Sequence, residues 1–243
     1  MSRSLRARMP VTAVTLALLG LGIGLSVTSA AAIAPRPVPP TKGVLYGTHQ
    51  PATEQATQPQ ALTALESRIG RTTGIDRSYA YWDDVQPSGT VTSDLALGRV
   101  PLLSILPRNR SGVVVPWAGI ASGAVDDAIR RQATSLAALP GGVILALHHE
   151  ADIAVGYGTS EEYVAAYRRY VSVFRSVGAT NVVFAWVLTP HTFKVPANAD
   201  AWYPGDDVVD WIGADAYNFG SCNHSWESYY SKTIETFPNV LRF

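Results

Sequence analysis

The chain has 243 residues, 47% hydrophobic and 16% charged, with 19 basic and 19 acidic side chains. That suffices for one sizeable core and is near the length of a single (β/α)8 barrel, about 250 residues. Balanced charge with no basic stripe gives no electrostatic reason to bind nucleic acid or anionic lipid, whereas a neutral polysaccharide suits it.

Arg3, Arg6 and Arg8 precede an apolar run from Val11 to Val27, and small residues follow through Ala34. A basic head, an apolar middle and an A-x-A-like end form a secretory signal. Residues 1–34 are therefore expected to be removed, with cleavage near Ala32 or Ala34. An uncleaved anchor is the alternative, and Gly20, Gly22 and Gly24 interrupt its run. Removal takes away three arginines and no acid, so net charge goes from 0 to −3. The mature protein is expected to be extracellular, free of the membrane and monomeric. Its one cysteine, Cys222, is either a buried inert thiol or lacks a partner lying outside this sequence.

Residues 35–42 open with Pro-Arg-Pro-Val-Pro-Pro, which reads as an extended linker. From there the pattern alternates short apolar runs with helical segments. Gly43–Gly47 reads as a first strand and Ala61–Ile69 as a helix. Arg77–Trp82 is a second strand and Val100–Leu106 a third. Val125–Leu139 is a helix with Ile129, Leu136 and Leu139 facing inward. Val143–His149 is a fourth strand. Ser160–Val177 follows as a helix, with Tyr163, Tyr167, Tyr170, Val171 and Phe174 at spacings of three and four, and Thr159 and Glu162 as its capping box. Val182–Trp186 and Trp211–Asp215 are the fifth and sixth strands, and Glu227–Phe237 is the next helix.

Strands alternating with helices predict a parallel sheet covered by helices. No Gly-rich phosphate loop follows the first strand, where a nucleotide-binding open sheet carries one, and no cofactor is expected. Polar and aromatic residues stand just after several strands, where a barrel keeps its site. They include Trp82-Asp83-Asp84, Arg108-Asn109, His149-Glu150, Trp186 and Tyr217-Asn218. The barrel is the favoured architecture.

Strict alternation along the fourth strand sends His148 and Glu150 the same way as Ile144 and Ala146. Glu150 then points inward at the strand's mouth, where desolvation raises its pKa and suits it to general-acid work. Other readings stand beside this one. Glu150 is a structural carboxylate paired with Arg108 or Arg110, or His148-His149-Glu150 binds a metal. Adjacent strand positions point apart, so no metal is expected. His148 also reads as a satisfied core histidine.

Residues 202–218 read WYPGDDVVDWIGADAYN. This stretch resembles the segment into strand six of glycoside hydrolase family 26, the β-mannanase-like family, whose common form is WYPGDDYVDWIGLDGYN. His149-Glu150 is similar to that family's acid/base motif. The run Ala165–Trp186 and the segment Tyr79-Ala80-Tyr81-Trp82 also look like the family, so the resemblance covers roughly Gly43 to the C-terminus.

The resemblance implies a (β/α)8 barrel that hydrolyses β-linked polysaccharide with retention, using two carboxyls about 5–5.5 Å apart. It implies Glu150 as the acid/base. It implies that His149 helps hold the sugar and the nucleophile, which alternation alone contradicts; a bulge or twist at the strand tip is expected to reconcile the two. Tyr217 matches a tyrosine that hydrogen-bonds the nucleophile. Trp186, Trp82 and Tyr203 are candidate sugar platforms, with core or loop packing as the alternative for each.

The family's nucleophile is a glutamate at the end of strand seven, and nothing after Tyr217 fits it. Glu227 and Glu235 both fall in the expected helix. The expectation is therefore an incomplete barrel of about six of its eight strands, without the nucleophile. Residues 151–157 (ADIAVGY) lack the asparagine and tryptophans that mannanases of the family carry there. β-Mannan remains the first expected substrate, with mixed-linkage glucan and β-1,3-xylan as alternatives. A polysaccharide-binding barrel that no longer cleaves, or a non-functional fragment, is the competing reading.

Overall fold

A computed structural model describes residues 35–194 and 196–216. The leader expected at 1–34, the helix expected at Glu227–Phe237, Cys222 and Tyr217 lie outside the described residues.

Six strands form one sheet in the order β1-β2-β3-β4-β5-β6, and every neighbouring pair is parallel. They are β1 (Gly47–Thr48), β2 (Ile75–Tyr81), β3 (Val100–Leu106), β4 (Val143–Leu147), β5 (Val182–Leu188) and β6 (Trp211–Ala214). Between them run α1 (Gln58–Ile69), α2 (Gly89–Ala96), α3 (Trp117–Ala121), α4 (Asp126–Ala137), α5 (Ser160–Ser176), α6 (Pro190–Phe193) and α7 (Pro196–Trp202). The result is an open half-barrel, a partial (β/α)8 barrel.

Local chemistry sets the element ends. The capping box of α5 forms as the sequence predicts: Thr159 Oγ1 accepts from the Glu162 N–H, and Glu162 accepts from the Thr159 N–H at 2.9 Å. Helix α1 carries Pro59 in its first turn and stops at Gly70, whose φ of 65° is the left-handed end that glycine allows. The first strand begins later than expected. Gly43 has φ 76°, and ladder pairing starts only at Gly47 opposite Ile75. The fourth strand ends at Leu147 rather than His149, because His148 leaves extended geometry with φ 50°. The proline-rich segment lies on the fold: Pro37 is buried and Arg36 pairs with Asp210.

Two apolar layers hold the sheet. Ile129, Leu136, Tyr163, Tyr167, Tyr170 and Phe174 of α4 and α5 pack on Leu145, Leu147, Val182 and Phe184 from the outward faces of the strands. Ile144, Ala146, Val183, Ala185, Val187 and Trp211 form the inner layer with Leu45, Ile75, Val100 and Leu102. That inner face lines a cavity of about 640 Å³ reached by all six strands. The sheet curls strongly, because Arg77 Nη1 on β2 reaches Asp215 Oδ2, just past β6, at 2.9 Å. A flat sheet would hold those strands four neighbours apart, about 19 Å.

Candidate active site

The C-terminal ends of the strands bring together His149, Glu150, Arg77, Tyr79 and Asp215. The backbone at the tip of β4 decides which way each side chain goes. His148 and Glu150 take φ values of 50° and 56°, which non-glycine residues adopt rarely. This is the expected twist. It breaks the alternation and turns His148 away from the inward face shared by Ile144 and Ala146. His148 is buried in the outer layer, where its Nδ1 accepts from Trp117 Nε1–H at 3.1 Å and its ring meets Tyr157 edge-on at 4.2 Å. Burial, and secondarily the charge of His149, pushes its pKa down to about 3. It is a satisfied core histidine.

His149 goes the other way, with its ring 5.1 Å from that of Tyr79. Its Nδ1 is buried and has no hydrogen-bond partner among the described residues. Burial first, and then the nearby Arg77 guanidinium, lower its pKa to about 4, against an opposing pull from Asp215. The ring is therefore neutral at ordinary pH.

Glu150 is half-buried and anchored through its backbone N–H to Val187 O at 2.8 Å. The Asp215 N–H donates to the next carbonyl, Leu188 O, at 2.9 Å. The two carboxyl-bearing residues thus flank the tip of β5. Burial pushes the Glu150 pKa up, and the charges of Asp215 and Asp152 push it further, while Arg77 opposes them. The alternative partners are engaged elsewhere: Arg110 binds Asp84, and Arg108 Nε donates to Gly112 O at 3.1 Å. Asp152 is also engaged. It accepts from the Thr189 N–H at 3.1 Å and from the hydroxyls of Thr189 and Thr192, which staples the loop after β4 to that after β5.

The expected sugar platforms are distributed differently. Trp82 is 8% exposed and packs on Tyr170 at 6.1 Å. Trp186 is fully buried, between Phe193 at 5.4 Å and Tyr203 at 5.0 Å. Both take the packing alternative, because residues at these strand positions face the helices. Tyr203 is half-buried on the same outer side, and its hydroxyl donates to Asp206 at 2.5 Å. The sequence reading did not single out Arg77 or the roles of Tyr79 and Tyr81. A signal for them exists: residues 77, 79 and 81 share one face once the strand is placed. Among the described residues no group of three or more histidine, cysteine, aspartate or glutamate side chains could hold a metal ion.

Residues 128–240 match the profile of glycosyl hydrolase family 26. Endoglucanase H of Acetivibrio thermocellus is 30% identical over 207 residues, covering 76% of this chain and 21% of that protein. A β-1,3-xylanase of Alcaligenes sp. is 27% identical over 139 residues, 54% of this chain and 30% of that one. The chain thus spans less than a third of the length of either relative. Among solved structures, a β-mannanase from a symbiotic protist of the termite Reticulitermes speratus, complexed with gluco-manno-oligosaccharide, superposes with a TM-score of 0.62 at 19% identity. The match covers 81% of this chain and 71% of that one. The catalytic domain of an endo-β-1,4-mannanase from Bacillus sp. also gives 0.62, at 16% identity over 79% and 62%. These likenesses carry the partial barrel fold.

Proposed function

We propose that this chain, which carries a glycosyl hydrolase family 26 domain, supplies the sugar cleft and the acid/base carboxyl of a retaining β-glycoside hydrolase. The observation that carries this reading is Glu150. A left-handed backbone turns it out at the mouth of β4, beside a neutral histidine, where burial and two neighbouring carboxylates push its pKa above the ordinary carboxylate value. Such a group protonates the departing glycosidic oxygen and, as its conjugate base, later takes a proton from water.

Retention needs a second, uncommitted carboxylate across the cleft. Asp215 is bound to Arg77, and Asp152 to Thr189 and Thr192. The reading therefore assigns the nucleophile to a residue outside the described ones, with Tyr217 as its hydrogen-bond partner. β-Mannan is the first substrate, supported by the mannanase-like fold. Mixed-linkage glucan and β-1,3-xylan follow, the latter supported by the xylanase relative. The basic head and apolar run of residues 1–34 support export to an extracellular polysaccharide.

The test is hydrolysis of the three polysaccharides, with NMR of the first-formed anomer. It is run on the full chain and on a fusion that adds the last two strand–helix units of a family relative. The fusion is expected to cleave β-mannan with retention. Turnover by the chain alone would put the nucleophile among residues 217–243. Inversion, or no cleavage by a fusion that melts cooperatively, overturns the assignment.

A further inference from the structure

Of the aromatic residues singled out at the strand ends, Trp82 and Trp186 are buried, whereas Tyr79 and Tyr81 of β2 are open to solvent. Tyr79 and Tyr81 are 46% and 39% exposed, while Ser78 and Ala80 between and before them are buried. Each ring is backed by a guanidinium. Arg77 Cζ lies 5.0 Å from the Tyr79 centroid, and Arg110 Cζ lies 5.2 Å from that of Tyr81. Each guanidinium is in turn held by a carboxylate: Arg77 by Asp215 at 2.9 Å, and Arg110 by Asp84 through Nη2 at 3.0 Å. Asp84 also accepts the Tyr81 backbone N–H at 2.9 Å, so the tip of β2 and the loop after β3 are locked together. Tyr79 is braced further by His49, edge-on at 4.9 Å, and by His149 at 5.1 Å. Rings immobilised before binding lose little conformational freedom when a ligand arrives.

We propose that Tyr79 and Tyr81 form a two-ring platform for neighbouring units of a neutral polysaccharide, delivering the chain to Glu150. The proposal rests on the hydrolase reading above and adds to it the binding rings. An exposed aromatic face packs against the C–H face of a pyranose, and a ring fixed from behind keeps that face presented. Residues two apart on a strand stand about 7 Å apart, within reach of adjacent sugar units on one chain. The ring contact between Tyr79 and His149, the residue before Glu150, puts the inner end of the platform beside the acid.

The charge class follows from the pairing. Each arginine behind a ring is already offset by its own aspartate, so the platform offers an anion no net positive charge.

Affinity electrophoresis of the full chain tests this without requiring turnover. Gels hold glucomannan, mixed-linkage glucan or polygalacturonate. The neutral polymers are expected to retard the chain, and polygalacturonate is not. Tyr79→Ala and Tyr81→Ala should each weaken binding to the neutral polymer about tenfold. Tyr81→Trp should keep it. Val85→Ala, at an 87% exposed residue on the next turn, should leave it unchanged. A thermal melt of each variant checks its fold; Tyr81, held at the rim, carries the result if Tyr79→Ala unfolds. Retardation by a neutral polymer that survives both alanine substitutions overturns the platform and leaves the hydrolase reading standing. Retardation by polygalacturonate overturns the charge class. A full chain that no neutral polymer retards overturns the platform and the hydrolase reading together.

Discussion

Glu150 stands between Asp215 and Asp152 at a mouth where burial already disfavours its charge, and only Arg77 pulls the other way. A carboxylic acid donates its proton until the pH rises through its pKa. A neighbouring negative charge therefore extends the range over which Glu150 can act as the acid. Replacing Asp215 with Asn removes that charge, and the Glu150 titration should move to lower pH. Replacing Arg77 with Met removes the opposing charge and should move it higher. Carbon-13 NMR of the labelled carboxyl reads both directly; a midpoint that ignores Asp215→Asn would mean the two groups do not communicate. In the fused chain, Glu150→Gln should slow substrates with poor leaving groups by about 10²–10⁴-fold. Activated aryl glycosides need little protonation and should lose far less. Equal losses on both would make Glu150 structural or nucleophilic. At this scale the sequence shows Glu150 and His149, but alternation alone sends the wrong histidine inward. The two left-handed residues that correct it carry no glycine or asparagine to announce them.

A second buried charge cluster sits between α1, α2 and β2, at the element scale. Asp76 of β2 and Asp94 of α2 are fully buried, and Arg99 lies between Asp94 at 3.6 Å and Glu66 of α1 at 2.5 Å. The Arg99 hydrogen bond holds Glu66 down to about 2, despite the cost of its burial. Asp94 is pushed up to about 7, first by burial and then by the charge of Asp76. Its folded pKa exceeds the ordinary carboxylate value, so the folded state binds that proton more tightly. The stabilisation is fully present below about pH 4 and is lost as pH rises through about 7. It amounts to on the order of 4 kcal/mol. His148 and His149 act oppositely below about pH 6.5, because burial keeps both neutral. The clean readout is thus the difference between the parent chain and Asp94→Asn. The variant should gain in melting temperature relative to the parent as pH goes from 5 to 8, and parallel curves would refute the assignment. Among the elements, β3 matches its expected span at both ends and α5 is one residue shorter than expected, since each has a strong period and clear flanks. Helices α2, α3, α6 and α7 carry too few turns to show one, and tertiary packing holds them: Trp117 of α3 is wedged among Tyr157, Tyr163 and Trp202.

Alternation of strands and helices announces a barrel-like sheet, yet its curvature is invisible in the sequence. The curl is fixed by contacts such as Arg77–Asp215, between residues 138 apart in the chain. Burial across the half-barrel is uneven in consequence. All five residues of β4 and all seven of β5 are buried, with α4 and α5 over their outer faces. Strand β1 pairs through two residues only, and its neighbours Val44 and Tyr46 are 51% and 40% exposed. Stability is distributed in the same way, since a segment with few buried contacts opens without the rest. Hydrogen exchange should show this as a gradient along the sheet. Amides of Val143–Leu147 and Val182–Leu188 should exchange only through global opening. Those of Gly47–Thr48 should exchange at least about 100-fold faster, a gap of about 3 kcal/mol in opening free energy. Strand β6 is four residues long and hydrogen-bonded to β5 alone among the described strands, so it should fall between them. On the proposed platform, saturating glucomannan would span Tyr79 on β2 and the Glu150 tip of β4. It should slow exchange at β2 and the turn after it while leaving the already protected β5 unchanged. Uniform protection from β1 to β6 would instead mean that the half-barrel opens as one unit, with the packing of β4 and β5 extending undiminished to both edges.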